Sequence, residues 1–257
     1  MQFSILTFNL LYNSAYARLE KILNVYKPDI IILQEVETKE DNLALLEKFN
    51  YTLADYSNSF MYIDQVFGIA TFYNKKKFKL TSSRPIWLSR GLFEYIFDVV
   101  RILKGKGQLR SILKTDFICL SNNKKLTIYN VHLSAMSTND IRIKQIKQAL
   151  NFYQLDKMTP TIIAGDFNYP YRRKRLEKLM NKYDLKEATR NLTYTFCSKK
   201  KAGYFLIQKI LSVVVSKIYH NQYKLDYVYY KKLKLIKTSR INVELSDHFP
   251  ILSVFEL

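Results

Sequence analysis

The sequence predicts an α/β protein in which two packed sheets are covered on the outside by helices. Three observations carry that expectation. Short runs rich in Ile, Val, Phe, Tyr and Thr recur along the 257 residues, as strands require. Helical patterns stand between several of these runs, so helix and strand alternate. Adjacent runs joined by a tight turn also occur, which a purely parallel doubly wound sheet would not contain.

The elements follow in order. Residues 2–9 read as a strand, and residues 14–26 place Leu19, Ile22, Leu23 and Tyr26 on one helical face. That helix should stop before Pro28, whose ring disfavours helical backbone in the residue preceding it. Strand runs return at 29–35 and 67–74. Runs 112–120 and 125–133 flank Ser121-Asn122-Asn123-Lys124, whose residue types suit a hairpin turn. A Thr138-Asn139 capping signal opens a helix over 139–155, with Ile143, Ile146, Leu150 and Tyr153 at helical spacing. Runs at 160–166, 224–230 and 249–256 complete the strands.

Two segments stand apart, 86–107 and 201–222. Both are apolar, aromatic and basic together, with helix-like patterning. An amphipathic helix laid over a sheet edge would bury such a stripe. A substrate-gripping arm or an interfacial membrane contact is the functional alternative.

Composition sets limits. The chain is long enough to bury a full core, and six glycines and five prolines leave no flexible linker, so residues 1–257 are expected to form one domain. Lys and Arg total 41 against 22 Asp and Glu, a formal charge of +19. AT-rich codon usage could enrich Lys, Asn, Ile, Tyr and Phe, but it does not explain so large an excess of bases over acids. The charge favours a polyanionic partner, either nucleic acid or an anionic membrane surface; no protein partner is implied. Cys119 and Cys197 offer neither a disulfide framework nor metal-ligand spacing. Without a signal peptide or a transmembrane run, a cytoplasmic location is the expectation.

Polar residues collect where the strand runs end. Asp166 and Asn168 close the run 161–164 in Gly165-Asp166-Phe167-Asn168. Two residues apart on a strand end, they point the same way, toward the rim of the sheet. Glu35 closes Ile30-Ile31-Ile32-Leu33, Asn9 closes the first run, His132 the fifth, and Asp226 sits in Leu225-Asp226-Tyr227-Val228. Asp247 and His248 follow Ser246 near the C-terminus.

Their co-occurrence in this order, from Asn9 to His248, resembles the endonuclease/exonuclease/phosphatase superfamily of metal-dependent phosphoesterases. The resemblance implies a four-layered α/β sandwich of DNase I type, two central mixed sheets flanked by helices, with the site at one open end. It implies Mg²⁺, with Mn²⁺ as a substitute, held by Glu35 and completed or oriented by Asn9 and Asp247. A hard carboxylate oxygen suits Mg²⁺, which keeps several waters and needs few protein ligands. His248 would contact the scissile phosphate or serve in acid/base chemistry, with Asp226 fixing its tautomer. Asp166 would position or activate the attacking water, and Asn168 would donate to a non-bridging phosphate oxygen. His132, in Val131-His132-Leu133-Ser134, would supply a second imidazole to the phosphate, as in the DNase I and sphingomyelinase branches. Arg142 and Gln145 resemble an Arg-x-x-Gln pattern of bacterial members and are expected to tie a helix to nearby loops. His220 matches no motif. The cluster Arg172-Arg173-Lys174-Arg175 reads equally well as a solvated helix face and as a phosphate-backbone contact.

The expected activity is Mg²⁺-dependent hydrolysis of phosphodiesters in DNA or RNA. A sphingomyelinase-like or inositol-phosphate phosphoesterase acting at a membrane surface is the alternative.

Overall fold

The computed structural model describes residues 1–62, 65–89, 111–135, 137–154, 158–197 and 222–257. Its strands are β1 (Gln2–Asn9), β2 (Ile30–Glu37), β3 (Thr52–Tyr62), β4 (Gln65–Tyr73), β5 (Phe78–Trp87), β6 (Ser111–Cys119), β7 (Lys125–His132), β8 (Thr161–Asp166), β9 (Lys186–Glu187), β10 (Phe196–Cys197), β11 (Gln222–Tyr223), β12 (Asp226–Lys231), β13 (Lys234–Arg240) and β14 (Ile251–Glu256). The helices are α1 (Leu19–Tyr26), α2 (Glu40–Ala44), α3 (Asn139–Gln154) and α4 (Arg173–Asn181).

Two six-stranded sheets form, in the orders β13-β14-β1-β2-β4-β3 and β5-β6-β7-β8-β12-β9. Each is mixed for the same reason. The β1–β2 pair is parallel and spans α1, the β7–β8 pair is parallel and spans α3, and the other neighbours within these sheets are antiparallel. A parallel pair needs a long crossover connection, and a helix supplies it.

The period-2 alternation of the central strands divides the core into three. Phe3, Ile5, Ile30 and Ile32 of the first sheet meet Phe117, Leu126, Ile128, Ile162 and Val228 of the second in the central layer. Their neighbours Leu6, Phe8, Ile31 and Leu33 turn outward onto Leu19, Ile22 and Leu23 of α1. On the far side, Tyr129, Val131, Ile163 and Tyr227 pack on Ile143, Ile146 and Leu150 of α3 and on Leu176 and Met180 of α4. Four layers result, as a DNase I-like sandwich requires. Each of these buried side chains contributes roughly 1.5–3 kcal/mol of transfer free energy.

The eight strands expected from sequence all form, within a few residues at their ends. The 121–124 turn also forms, with Asn123 at φ 55° and Cys119 N–H donating to Lys124 O. Departures lie mostly at the edges. The edge strands β3, β5 and β13 were not expected, because polar residues, basic ones in β13, interrupt any apolar run; each also carries a register shift. Such residues protect a sheet edge from pairing with another chain. At the first helix, residues 16–18 form a 3₁₀ turn before α1, and Tyr26 is exposed, off the buried face of Leu19, Ile22 and Leu23. Ile86 and Trp87 belong to strand β5 and not to a helix. The rest of the 86–107 segment from residue 90, and all of 201–222 except Gln222, lie outside the described residues, as do His220 and the Tyr153 side chain.

Asp116 ties three strands of the second sheet together, accepting from Ser82 Oγ at 2.7 Å, from Thr127 Oγ1 at 2.6 Å and from Lys114 Nζ. Burial pushes its carboxyl up, but these donors outweigh burial and hold it below the usual carboxylate range. A depressed acid contributes stability that is present above its unfolded value and lost as pH falls through the folded one. The Tm difference between wild type and Asp116→Asn should therefore shrink on acidification below about pH 4, which thermal melts across pH 2–7 would read.

Candidate active site

The alternation that builds the central core also builds the site. On each central strand the inward series is apolar and then turns polar at one end: Ile5, Thr7, Asn9 on β1; Ile30, Ile32, Gln34 on β2; Ile128, Asn130, His132 on β7; Ile162, Ala164, Asp166 on β8; and Val228, Asp226 on β12. Register then aligns the polar ends, pairing His132 and Asp226 with Asp166 across β8. Below them, Gln34 Nε2 donates across the sheets to Asn130 Oδ1 at 2.8 Å, and Asn130 Nδ2 donates to Leu33 O and Ala70 O. This polar seam fixes the two sheets at the base of the cluster.

Two backbone irregularities aim the acids. A bulge in β2 between Gln34 and Val36 puts Glu35 at φ 53°, and the side chain leaves the strand's alternation. Its Oε2 accepts the Tyr12 N–H at 3.1 Å, from a turn in which Leu11, Tyr12 and Asn13 all have positive φ. Backbone strain of this kind is concentrated at functional sites. Gly165 has φ 137°, and a Cβ there would lie 2.0 Å from Val131 O, so the residue before Asp166 must lack a side chain.

Asn9 bridges the sheets, with Nδ2 donating to Asp166 Oδ2 at 3.1 Å and to Glu35 Oε1 at 3.4 Å. Asp166 also receives the Asn168 N–H on Oδ1 at 2.8 Å and Asn168 Nδ2 on Oδ2 at 3.1 Å. Asn168 Nδ2 reaches Leu133 O as well, so here the amide serves Asp166 and the loop after His132. Both hydrogens of that amide thus have protein acceptors in this structure. His132 is buried, with Nε2 3.7 Å from Glu35 Oε1 and 3.9 Å from Asp166 Oδ2. Arg142 Nε and Nη2 donate to Ser134 O and Ala135 O, and Gln145 holds Ser134 N–H and Oγ. The pair thus clamps that loop, as expected.

His248 faces Asp166 from the other side. Its Nδ1 lies 2.9 Å from Asp226 Oδ2, and its Nε2 lies 3.7 Å from Asp166 Oδ2. Burial alone would push the imidazole down, but the Asp226 and Asp166 charges outweigh it and hold its pKa well above the ordinary value. Burial pushes Asp166 up to about 7 against the pull of His248. Glu35 is raised too, by burial first and then by the Asp247 charge. Asp247 is buried, with Oδ1 accepting from Ser246 Oγ at 3.2 Å.

Thr195 belongs to this site and was missed. Wholly buried, it donates Oγ1–H to Asp226 Oδ2 at 2.7 Å and accepts the Leu225 and Asp226 N–H groups. It matches no motif and lies outside any strand run, so only the fold brings it to Asp226. Thr195→Val leaves those N–H groups without an acceptor and frees Asp226, and is expected to cost about 1–3 kcal/mol of stability. A lowered kcat with a displaced pH profile, read beside a thermal melt, would separate loss of positioning from simple destabilisation.

The donor set fits a hard divalent cation. Four carboxylates, those of Glu35, Asp166, Asp226 and Asp247, converge with two imidazoles, and burial first, then the neighbouring acid charges, raise Glu35 and Asp166. Among the described residues, Asp166, Asp226 and His248 present possible ligand atoms within 4.8 Å of one another. Within that trio His248 Nδ1 lies 2.9 Å from Asp226 Oδ2, whereas the Glu35 carboxylate accepts from the neutral Asn9 amide and the Tyr12 N–H.

Acids and imidazoles thus face one another at the strand ends of a four-layered sandwich. Residues 6–248 match the profile of the Endonuclease/Exonuclease/phosphatase family, and the chain belongs to that family. Solved structures share the fold at low identity. The human Nocturnin catalytic domain with bound sulfate is 18% identical over 99% of this chain and 94% of that one, with a TM-score of 0.70. TDP2 of D. rerio, complexed with a single-strand DNA product, is 15% identical over 100% and 99%, at 0.67. A mannosyl-6-phosphatase of Bacteroides thetaiotaomicron is 15% identical over 99% and 100%, at 0.66. No curated protein matches the sequence.

Proposed function

We propose that this chain is a Mg²⁺-dependent phosphodiester hydrolase, with Mn²⁺ as a substitute, that cuts DNA or RNA by attack of water. The observation that carries the reading is the Asp226–His248 pair directed at Asp166, on the same rim as Glu35 in its cradle of amides. Mg²⁺ held by Glu35, with Asn9 and Asp247 completing or orienting its shell, would neutralise phosphate oxygens and stabilise the leaving oxyanion. Asp166 would take the proton of the attacking water, and its rise to about 7 supports that role near neutral pH. Asn9 and Asn168 hold that carboxyl in place. The Asp226 and Asp166 charges hold the proton on His248, which would present Nε2–H to the phosphate or to the leaving oxygen. His132 adds a second imidazole on the Glu35 side.

Nucleic acid is the substrate the charge favours. The +19 surplus supplies long-range attraction, and Arg172–Arg175 are exposed at the start of α4, four residues beyond Asn168. Arg173, Lys174 and Arg175 occupy a first helical turn with no acid in it, against the helix dipole, an arrangement better suited to holding phosphates than to stabilising the helix. The alternative of a membrane-surface phosphoesterase drew on segments that lie largely outside the described residues. No helix among the described residues is long and apolar enough to cross a membrane.

Hydrolysis of supercoiled plasmid, single-stranded oligonucleotides and sphingomyelin-containing vesicles, each with Mg²⁺ and with EDTA, tests the assignment. Metal-dependent cleavage of nucleic acid alone is expected. Turnover of lipid alone would overturn the choice of substrate.

A further inference from the structure

Arg240 ends β13, the edge strand of the first sheet, in register with Ile251 and through it with Thr7, two residues short of Asn9. Its guanidinium lies 3.9 Å from the Tyr194 ring centroid and 4.7 Å from that of Phe249, and the two rings meet edge to face at 5.7 Å. Its Nε donates to Asn242 Oδ1 at 2.9 Å and its Nη1 to Tyr194 O at 3.3 Å, both neutral acceptors. Among the described residues no carboxylate pairs with it, and its Nη2 makes no hydrogen bond. The side chain is half-buried.

The location matters as much as the charge. Tyr194 immediately precedes Thr195, which holds Asp226, and Phe249 immediately follows His248. Phe249 N–H also donates to Thr195 O, so the two rings stand on backbone that is tied to the Asp226–His248 pair. A planar cation pinned between rings loses little further freedom on binding and presents its remaining N–H groups in a fixed fork, the geometry that matches phosphate oxygens.

We infer that Arg240 is a fixed contact for a second phosphate of the substrate, one that is not cut, beyond the His248 side of the site. This makes the preferred substrate a strand carrying several phosphates, and it rests on the nuclease reading above. A single exposed arginine gives a salt-sensitive attraction; a stacked one also sets where the strand passes.

The test uses the full chain and the variants Arg240→Met and Arg240→Lys, all checked by thermal melts. For each, kcat/KM is measured in Mg²⁺ on a single-stranded oligonucleotide and on bis(p-nitrophenyl) phosphate, which has one phosphate. The ratio of the two efficiencies is expected to fall about tenfold in Arg240→Met, through KM, and less in Arg240→Lys. Oligonucleotide binding in EDTA is measured alongside against salt, and the slope of log K on log [salt] should fall by about one in Arg240→Met. An unchanged ratio and slope in a folded variant would overturn the inference. So would an equal loss on both substrates, which would make Arg240 a support for the site. If wild type binds the oligonucleotide through Arg240 but does not cut it, the nuclease reading fails while this contact stands; a wild type that binds no oligonucleotide, or that prefers an inositol polyphosphate, removes the strand itself.

Discussion

Alanine at His248 is expected to lower kcat on an oligonucleotide by about 10²- to 10⁴-fold, the usual range for a lost acid/base group, with a small change in KM. The imidazole joins the Asp226 carboxylate to that of Asp166, at 2.9 Å and 3.7 Å, and its charge partly offsets theirs. Removing it leaves two buried carboxylates facing each other, so Asp166 should climb further above its already raised value and lose its capacity to accept a proton at neutral pH. The pH profile of the residual activity should accordingly move to higher pH. Steady-state kinetics on wild type and variant between pH 5.5 and 9 would read both effects, and an unchanged kcat would remove His248 from the chemistry.

Glu35→Gln should have an effect of similar size on turnover without a loss of stability. Glutamine keeps the shape and an oxygen for the Tyr12 N–H, but it removes a charge that burial and Asp247 already oppose. The metal-free variant should melt at or above the wild-type temperature, since an uncompensated buried charge has gone. Mg²⁺ at a hundredfold excess over its Kd should stabilise wild type by about 2.7 kcal/mol, several degrees in Tm, and stabilise the variant far less. Turnover in Mg²⁺ should drop to the level seen in EDTA. A variant that melts and turns over like wild type with Mg²⁺ would show that the ion is held elsewhere.

Much of this site was legible because the same period-2 pattern writes both core and rim. Strands β1, β2, β7 and β8 announce themselves by apolar runs, and a polar residue at the end of such a run has few places to go except the open end of a sheet. Asn9, Glu35, His132 and Asp166 stand at such ends, whereas Asp226, Asp247 and His248 gain meaning from the order of all seven along the chain, which resembles that of the family. What sequence could not supply was the register that sets Asp226 and His132 beside Asp166, or the bulge that turns Glu35 out of its strand. Thr195 and Arg240 were invisible for another reason. Thr195 sits on a short irregular connection and Arg240 ends a lysine-rich edge strand, where polar residues carry no pattern, and both gain meaning only from partners distant in sequence. Asn168 shows the reverse limit, since its position was readable while its partners Leu133 and Asp166 depended on how the following loop folds back.

The most direct measurement of the central claim is hydrolysis of bis(p-nitrophenyl) phosphate by wild type and Asp166→Asn, each with Mg²⁺ and with EDTA, because this substrate tests the chemistry apart from any preference for nucleic acid or lipid. Release of p-nitrophenol by wild type in Mg²⁺ only, lost in Asp166→Asn, is the predicted result. Equal rates in EDTA, or equal rates in the variant, would contradict a metal-dependent phosphodiester hydrolase built on these strand ends.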